Sequence, residues 1–259
     1  YHVKRPRRAH DGPWLALPTK YTSTDNTTGD GIRGYWRSFQ IMFLLMNLDA
    51  ALDPDLEGIE SFLEDVDLIW FPTGGGKTEA YLGLAAYMIF MERLTDPSHR
   101  GCHVLMRYTL RLLTAQQFQR ACGMICACER IRQQRPEDFG TNPITIGLWV
   151  GQSLTPNRRK DALNRLSRWR HEPEKEENAF QLLTCPWCGT ALDNPKVPGY
   201  VKGGWPETVK FVCPESRCTF SLKENPLPVV VVDEDLYHNP ATLIIGTVDK
   251  FAMLAWRDE

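Results

Sequence analysis

Short apolar runs alternate with longer stretches of helical spacing along most of the chain after residue 66. Four of these runs are nearly continuous in apolar residues, as in strands that are buried on both faces: Asp67–Phe71, His103–Arg107, Ile144–Val150 and Thr242–Thr247. Apolar residues recur at helical spacing in the segments between them: Thr78–Leu94, Leu110–Gln134 and Arg158–Arg170. This alternation predicts an α/β fold in which helices cover both faces of an open parallel sheet.

Two segments depart from the alternation. Residues 1–32 are rich in Pro, Gly, Thr and Asp, which predicts an extended lead-in before an apolar-rich helix over Tyr35–Leu52. Residues 180–227 are rich in Cys, Pro and Gly, and we interpret them as an insertion. We therefore expect one α/β domain formed by residues 33–179 and 228–259, with a separate module between them.

The composition is that of a globular protein, with 42% hydrophobic and 24% charged residues. Because 30 basic residues face 32 acidic ones, any nucleic-acid binding must come from local basic patches. The apolar runs are shorter than the roughly 20 residues of a membrane span, and the first residues lead into no secretory apolar segment. We expect a cytoplasmic protein without a membrane partner, cut from a longer polypeptide because the sequence lacks an initiator Met.

A glycine-rich turn, Thr73-Gly74-Gly75-Gly76-Lys77-Thr78, joins the first predicted strand to the next helix. Backbone N–H groups of such a turn cradle phosphates at the positive end of the helix dipole. Lys77 is expected to reach the β- and γ-phosphates of ATP, and the Thr78 hydroxyl to ligate Mg²⁺, so these two are the predicted catalytic residues. A chance Gly-rich turn is the alternative, since Phe71 stands where the strict motif has glycine.

The turn resembles that of superfamily-two helicases, which tolerate the missing first glycine. Upstream, Arg37-x-x-Gln40 resembles the element with which these helicases grip adenine. A glutamine amide both donates and accepts, so Gln40 could select adenine over guanine. Glutamine is also common at the start of amphipathic helices, which is the alternative interpretation of Gln40. The resemblance spans about residues 33–256 and implies the first RecA-like domain of a helicase.

Three strand ends resemble the helicase elements that contact nucleic acid. Arg111-x-Leu113-x-x-Gln116 follows the second predicted strand, Gly151 ends the third, and Gly246-Thr247 ends the last, with Lys250 just beyond. The resemblance implies these nucleic-acid-binding residues: Arg111, Gln116, Gly151, Thr247 and Lys250. The basic helix Arg158–Arg170 either contacts phosphates as well or is a solvated helix whose charges pair locally.

More narrowly, the residues around the glycine-rich turn and the segment Gly246-Thr247-Val248-Asp249-Lys250-Phe251 resemble the helicase subunit of the bacterial DISARM antiphage system. This resemblance implies an ATP-dependent DNA helicase or translocase that works with a partner defence subunit. It also implies that the Asp-Glu box and the second RecA-like domain follow residue 259, so we expect the present chain alone to be inactive. A nucleotide-switched DNA-binding or assembly module without hydrolysis is the second hypothesis, and a P-loop kinase is a third.

The segment Val229–Asp235 has the form of a strand followed by a Walker B acid pair. The next predicted strand begins too soon after it for a parallel crossover, which needs a dozen or more residues. We therefore interpret the segment as a short edge strand with an acidic connection, and Asp233 and Glu234 are not assigned to the site.

Two cysteine knuckles bracket the insertion. Cys185 and Cys188 form a Cys-x2-Cys pair, Cys213 and Cys218 a Cys-x4-Cys pair, and residues 189–212 separate them. Four thiolates suit a closed, tetrahedral, structural zinc site. Free buried thiols, disulfides and an iron–sulfur cluster are the alternatives. Cys122, Cys126 and Cys128 are expected in the core, and no histidine is assigned a role.

Overall fold

The structure is a computed structural model that describes residues 36–48, 70, 76–108, 111–197 and 199–254, without the side chains of 111–116, 253 and 254. The predicted lead-in over 1–32 lies outside the described residues. So does the predicted strand Asp67–Phe71, apart from Trp70.

The described residues form helices and strands at the predicted places, together with a hairpin and three short helices that the apolar pattern did not predict. The helices are α1 (Ser38–Met46), α2 (Lys77–Thr95), α3 (Arg111–Gln134), α4 (Pro136–Phe139), α5 (Arg159–His171), α6 (Asp233–His238) and α7 (Val248–Leu254). The strands are β1 (Val104–Tyr108), β2 (Ile146–Trp149), β3 (Tyr200–Gly203), β4 (Thr208–Phe211), β5 (Val229–Val230) and β6 (Leu243–Thr247). Helices α2, α3 and α5 begin and end within one residue of their predicted bounds.

In the described part of the chain, four strands form one parallel sheet in the order β1-β6-β2-β5. Strand β6 lies in the middle, where it pairs with β1 from Val104↔Leu243 to Tyr108↔Thr247 and with β2 on its other side. The α/β fold with a parallel sheet is therefore confirmed. Because the strands are parallel, the residues that follow β1, β2 and β6 meet at one edge of the sheet, which we call the carboxyl edge.

Strand β5 corrects one step of the sequence argument. It is indeed a short edge strand, but it runs parallel to β2, and β6 is parallel to β2 as well. Residues 231–242, which include α6, therefore make a parallel crossover that we predicted to be too short. The dozen residues suffice because α6 is only six residues long.

The core lies between α3 and the sheet. Phe118, Ala121 and Ile125 on α3 are fully buried. Cys122, Cys126 and Cys128 are buried on the same helix, which confirms their predicted place in the core. None of the helices in the described parts of the chain combines the length and apolar character that a membrane-spanning segment requires.

The cysteine insertion contains an antiparallel hairpin, β3–β4, that packs on α5. The Trp169 and Tyr200 rings meet edge to face at 5.3 Å, and Tyr200 also contacts Phe180 and Phe211. These aromatic residues belong to the same apolar cluster as the core of the sheet. The insertion is therefore packed onto the α/β domain through a continuous core.

Candidate functional site

The first site is built around Gln40, a buried side chain near the start of α1. Its Nε2 donates to the carbonyl oxygen of Gly76 at 2.7 Å, and its Oε1 accepts from the backbone N–H of Arg37 at 2.8 Å. Each amide atom can form one further hydrogen bond. The structure thus brings two predicted nucleotide-binding residues, Gln40 and Gly76, into direct contact.

Gly76 precedes the first residue of α2 in a left-handed conformation, with φ of 93°. A Cβ at this position would lie 2.6 Å from Nε2 of Gln40. Both the backbone conformation and the close approach of Gln40 therefore require glycine here. The first N–H groups of α2 have no acceptor within the helix, as at every helix start.

Helix α1 touches α2 at a second glycine. A Cβ at Gly83 would lie 2.6 Å from the Trp36 ring, so the indole rests directly on the helix backbone. Phe43 adds an edge-to-face contact with Tyr81 at 5.7 Å. These contacts fix the position of Gln40 relative to the start of α2.

Lys77 and Thr78 form the first turn of α2, and both are half-buried. Their position at a helix N-terminus is one where phosphate oxygens are stabilised by free N–H groups and the helix dipole. Glu79 in the same turn is paired with Arg120 of α3, which offsets the negative charge of its carboxylate at the helix start. The predicted residues Thr73, Gly74 and Gly75 lie outside the described residues.

The predicted nucleic-acid residues are gathered at the carboxyl edge. Tyr108 and Thr247 are register partners at the ends of β1 and β6, and Gly151 follows the end of β2. The side chain of Thr247 is buried, at 3% exposure. The backbones of Arg111 and Gln116 begin α3 at the same edge, but their side chains lie outside the described atoms.

Lys250 is engaged by an acid rather than turned to solvent. Its ammonium pairs with the carboxylate of Asp233, whose side chain is 2% exposed, while that of Lys250 is 14% exposed. A phosphate contact by Lys250 therefore requires its release from a buried ion pair. Sequence reasoning missed this pair because the two residues belong to different segments.

The two acids that follow Asp233 are engaged by one arginine. Arg159 donates to Asp235 at 2.6 Å and to Glu234 at 3.1 Å, and its backbone N–H donates to Glu234 at 2.9 Å. The second oxygen of Asp235 accepts from the hydroxyl of Thr208, at the start of β4. These contacts join α5, α6 and the hairpin of the insertion, as expected of a structural acidic connection.

The tip of the hairpin presents an exposed tryptophan. Trp205 is 98% exposed between β3 and β4, with Lys202 and Lys210 on the flanking strands. Thr208, three residues after Trp205, contacts Asp235 next to the first turn of α5, so the tip lies beside the carboxyl edge of the sheet. Sequence reasoning did not single out Trp205; the signal was Gly203-Gly204-Trp205-Pro206 between two short β-prone runs.

The four cysteines of the two knuckles converge. All four are buried, and their sulfur atoms lie within 4.8 Å of one another, with Cys188 and Cys213 at 3.4 Å and Cys185 and Cys218 at 3.9 Å. A tetrahedral zinc ion with Zn–S bonds near 2.3 Å places sulfur atoms about 3.8 Å apart. The predicted ligand set is thus assembled at a spacing that fits zinc.

The knuckle backbone and its surroundings support this cluster. Gly189 has a φ of 82°, which allows its N–H to donate back to the Cys185 carbonyl at 2.8 Å. Hydrogen bonding with Cys185 lowers the pKa of Cys188 and raises that of Cys218. Several thiolates at this spacing repel one another, and a bound cation offsets the repulsion.

No protein-family model matches the chain. It is 40% identical over 234 residues to the DISARM protein DrmA of Bacillus paralicheniformis (strain ATCC 9945a / NCIMB 11709 / CD-2), a match over 86% of this chain and 20% of that protein. The chain thus spans about a fifth of the length of the relative that it matches. Identity at this level over most of the chain establishes a relationship between the chain and a DISARM protein.

Proposed function

We propose that the chain is part of an ATP-driven DNA translocase or helicase of a DISARM antiphage system, and that its sheet belongs to a first RecA-like domain. The observation that carries the proposal is the hydrogen bond from Gln40 to the carbonyl of Gly76. A glutamine able to recognise adenine is held against a glycine turn that opens a helix at Lys77-Thr78. The residues proposed to bind adenine and those proposed to bind the phosphates are then held at a fixed distance from each other, so one ATP molecule can contact both.

The proposed roles follow from this geometry. Gln40 recognises the adenine edge, while Lys77 neutralises the β- and γ-phosphates and Thr78 ligates Mg²⁺. Thr73, Gly74 and Gly75 complete the turn around the phosphates. Mg²⁺ supplies the positive charge that offsets the charge on the transferring phosphoryl group.

The carboxyl edge is the proposed DNA surface. Arg111 and Gln116 follow β1, Gly151 follows β2 on the other side of β6, and the exposed Arg158 and Lys160 lie at the start of α5. Trp205 at the adjacent hairpin tip adds a flat apolar ring, on which a base of a single strand can stack. Positive side chains and an exposed aromatic ring are together typical of single-strand binding.

The Cys185, Cys188, Cys213 and Cys218 cluster is proposed as a structural zinc site. With four thiolates the metal has no open position, so it stabilises the insertion and takes no part in ATP chemistry. The zinc keeps the hairpin, and hence Trp205, in a fixed position against α5.

The antiphage role and a partner defence subunit are inferred from the relative, a DISARM protein. The acids that would activate water are not provided by Asp233, Glu234 or Asp235, since Lys250 and Arg159 engage all three. This observation also suits the second candidate function, a nucleotide-switched DNA-binding module that does not hydrolyse ATP.

The test uses the full-length protein, with ATP turnover measured with and without single-stranded DNA. DNA is expected to stimulate turnover, and Lys77→Ala to lower it by about 100-fold or more because the phosphates lose a charge-stabilising partner. DNA affinity should remain unchanged in this variant. Lys223→Ala, an exposed lysine of the insertion, is the matched control.

The outcomes separate the two functions. Tight ATP binding that alters DNA affinity without any turnover would favour the nucleotide switch. Turnover by Lys77→Ala at the parental rate would contradict the assignment of the phosphate turn.

A further inference from the structure

Three metal-ligating side chains converge at the amino-terminal edge of the sheet, far from the cysteine insertion in sequence. Nδ1 of His99 lies 2.9 Å from one carboxylate oxygen of Glu92, and Nδ1 of His103 lies 4.0 Å from the other. One ligand atom of each of the three residues lies within 4.8 Å of the others. We call these three residues the His₂Glu cluster.

The backbone holds the three residues on different but connected elements. Glu92 lies near the end of α2, and His99 follows in a turn in which its N–H donates to the carbonyl of Asp96 at 3.0 Å. The N–H of His103 donates to the carbonyl of Thr242 at 2.9 Å, which ties it to the start of β6. The cluster is thus positioned by a helix end, a turn and a strand start rather than by a free loop.

The surroundings shield the cluster from water. The three side chains are only 22–31% exposed, so an ion among them would be partly enclosed by protein. A neutral ring offers a nitrogen lone pair to a metal ion.

Two imidazole nitrogens and one carboxylate oxygen are a donor set that zinc uses in sites with an open position. Zn–N bonds of about 2.0–2.1 Å place the ligand atoms of a tetrahedral site about 3.4 Å apart. Shifts of the ligand atoms by roughly 1 Å, from changes in side-chain torsion angles, would bring the three residues to this spacing. The carboxylate of Glu92 supplies the negative charge that a bound cation needs at this site.

We propose that Glu92, His99 and His103 form a second zinc site, with one coordination position left for water or an exogenous ligand. Helix α2 runs from Lys77 to this site, so roughly 25 Å separates it from the nucleotide turn at a rise of 1.5 Å per residue. The site is therefore distinct from both the proposed Mg²⁺ position and the cysteine cluster. A bound ion would clamp the end of α2 to the start of β1.

The experiment compares metal content and cobalt spectra of the full-length protein. His99→Ala/His103→Ala should contain one zinc less per chain than the parent, whereas His171→Ala/His238→Ala should retain the parental content. The control histidines are exposed and each contacts a carbonyl of its own helix. Glu92→Gln keeps the size of the side chain and should weaken zinc binding by at least about tenfold.

Cobalt distinguishes the two kinds of site in one sample. Loss of the His₂Glu cluster should remove the weak d–d absorption of the nitrogen- and oxygen-bound cobalt. The d–d and thiolate-to-cobalt charge-transfer bands of the cysteine cluster should stay intact. The inference is overturned if Glu92→Gln and His99→Ala/His103→Ala both bind the parental amount of zinc with parental affinity. It is also overturned if the parent's cobalt spectrum contains only thiolate-bound metal.

Discussion

Nε2 of Gln40 donates to the carbonyl oxygen of Gly76 at 2.7 Å, across 36 positions of the sequence. This bond joins α1 to the residue that precedes α2, and it is half-buried. Because a half-buried carbonyl that loses its donor is destabilised by about 1 kcal/mol, the bond couples the position of Gly76 to the side chain that is proposed to recognise adenine.

Replacing Gln40 should therefore affect nucleotide binding twice. In the full-length protein, Gln40→Glu removes the donor to Gly76 and the amide that pairs with adenine, and we expect ATP affinity to fall by tenfold or more. Titration with a fluorescent ATP analogue measures the loss. Gln119→Ala, on α3, is the control and should bind normally; parental affinity in Gln40→Glu would contradict the adenine role.

Gly76→Ala should be more damaging than an alanine at another glycine of positive φ. The left-handed backbone alone disfavours a Cβ by about 1–2 kcal/mol, and at Gly76 the Cβ would also collide with Gln40. Gly101 is the matched control, since its φ is +117° and no atom lies within 4 Å of a Cβ placed there. Hydrogen exchange of the α2 amides, followed by mass spectrometry, should rise in Gly76→Ala and not in Gly101→Ala.

A double variant isolates the collision. Gly76→Ala is compared in the parent and in a Gln40→Ala background, because both members of the second pair lack the hydrogen bond to the Gly76 carbonyl. If Gly76→Ala raises exchange as much in the Gln40→Ala background as in the parent, the contact with Gln40 is not the source of the damage.

The Lys250–Asp233 pair gives a way to separate folding from DNA contact. Lys250→Ala leaves a buried carboxylate without this cation and should destabilise the end of β6 by about 3–5 kcal/mol, seen as faster hydrogen exchange. Asp233→Asn in the same chain should restore most of the protection. If Lys250 also touches phosphate, the double variant should still show a slope of log affinity against log salt reduced by about one.

Metal removal should loosen the insertion selectively. Cys188→Ser should raise hydrogen exchange over the β3–β4 hairpin while β1 stays protected, because the hairpin, and not β1, belongs to the cysteine insertion. Cys102→Ser, which changes an exposed thiol outside the cluster, should have no such effect. Unchanged exchange after loss of the metal would contradict a structural role.

Trp205→Ala should weaken binding of single-stranded DNA by about tenfold, since stacking of one base contributes about 1–3 kcal/mol. Trp205→Phe should retain most of the affinity because it keeps an aromatic face. Leu222→Ala, an exposed apolar residue of the same insertion, is the control. Equal affinities in parent and Trp205→Ala would exclude stacking and point to a protein partner for this surface.

The sequence predicted the elements of the fold better than their contacts. Apolar runs located β1, β2 and β6 because central parallel strands are buried on both faces, and the paired cysteines predicted their own cluster. The hairpin β3–β4 escaped detection because its strands are four residues long. The crossover between β5 and β6 was misjudged from its length.

The site contacts were beyond sequence reasoning for a physical reason. Lys250 looked available for phosphate, but the topology brings Asp233 to it from another strand end. Nothing in the sequence grouped His99 with His103, because Glu92, which contacts both, lies on the preceding helix α2. The spacing of residues in a sequence predicts which side chains meet within one helix or strand. The partners of Lys250 and of the two histidines lie on other elements, and tertiary packing brings them together.

The central place of β6 has a consequence for how the sheet assembles during synthesis. Val104 pairs with Leu243, and β6 separates β1 from β2. When the ribosome has made β1, β2 and the cysteine insertion, the strand that lies between β1 and β2 is still missing. The insertion therefore leaves the ribosome before the sheet is complete, and it can bind its metal at that stage. We expect β1 and β2 of a nascent chain to remain without their common partner strand until residue 247 has left the exit tunnel.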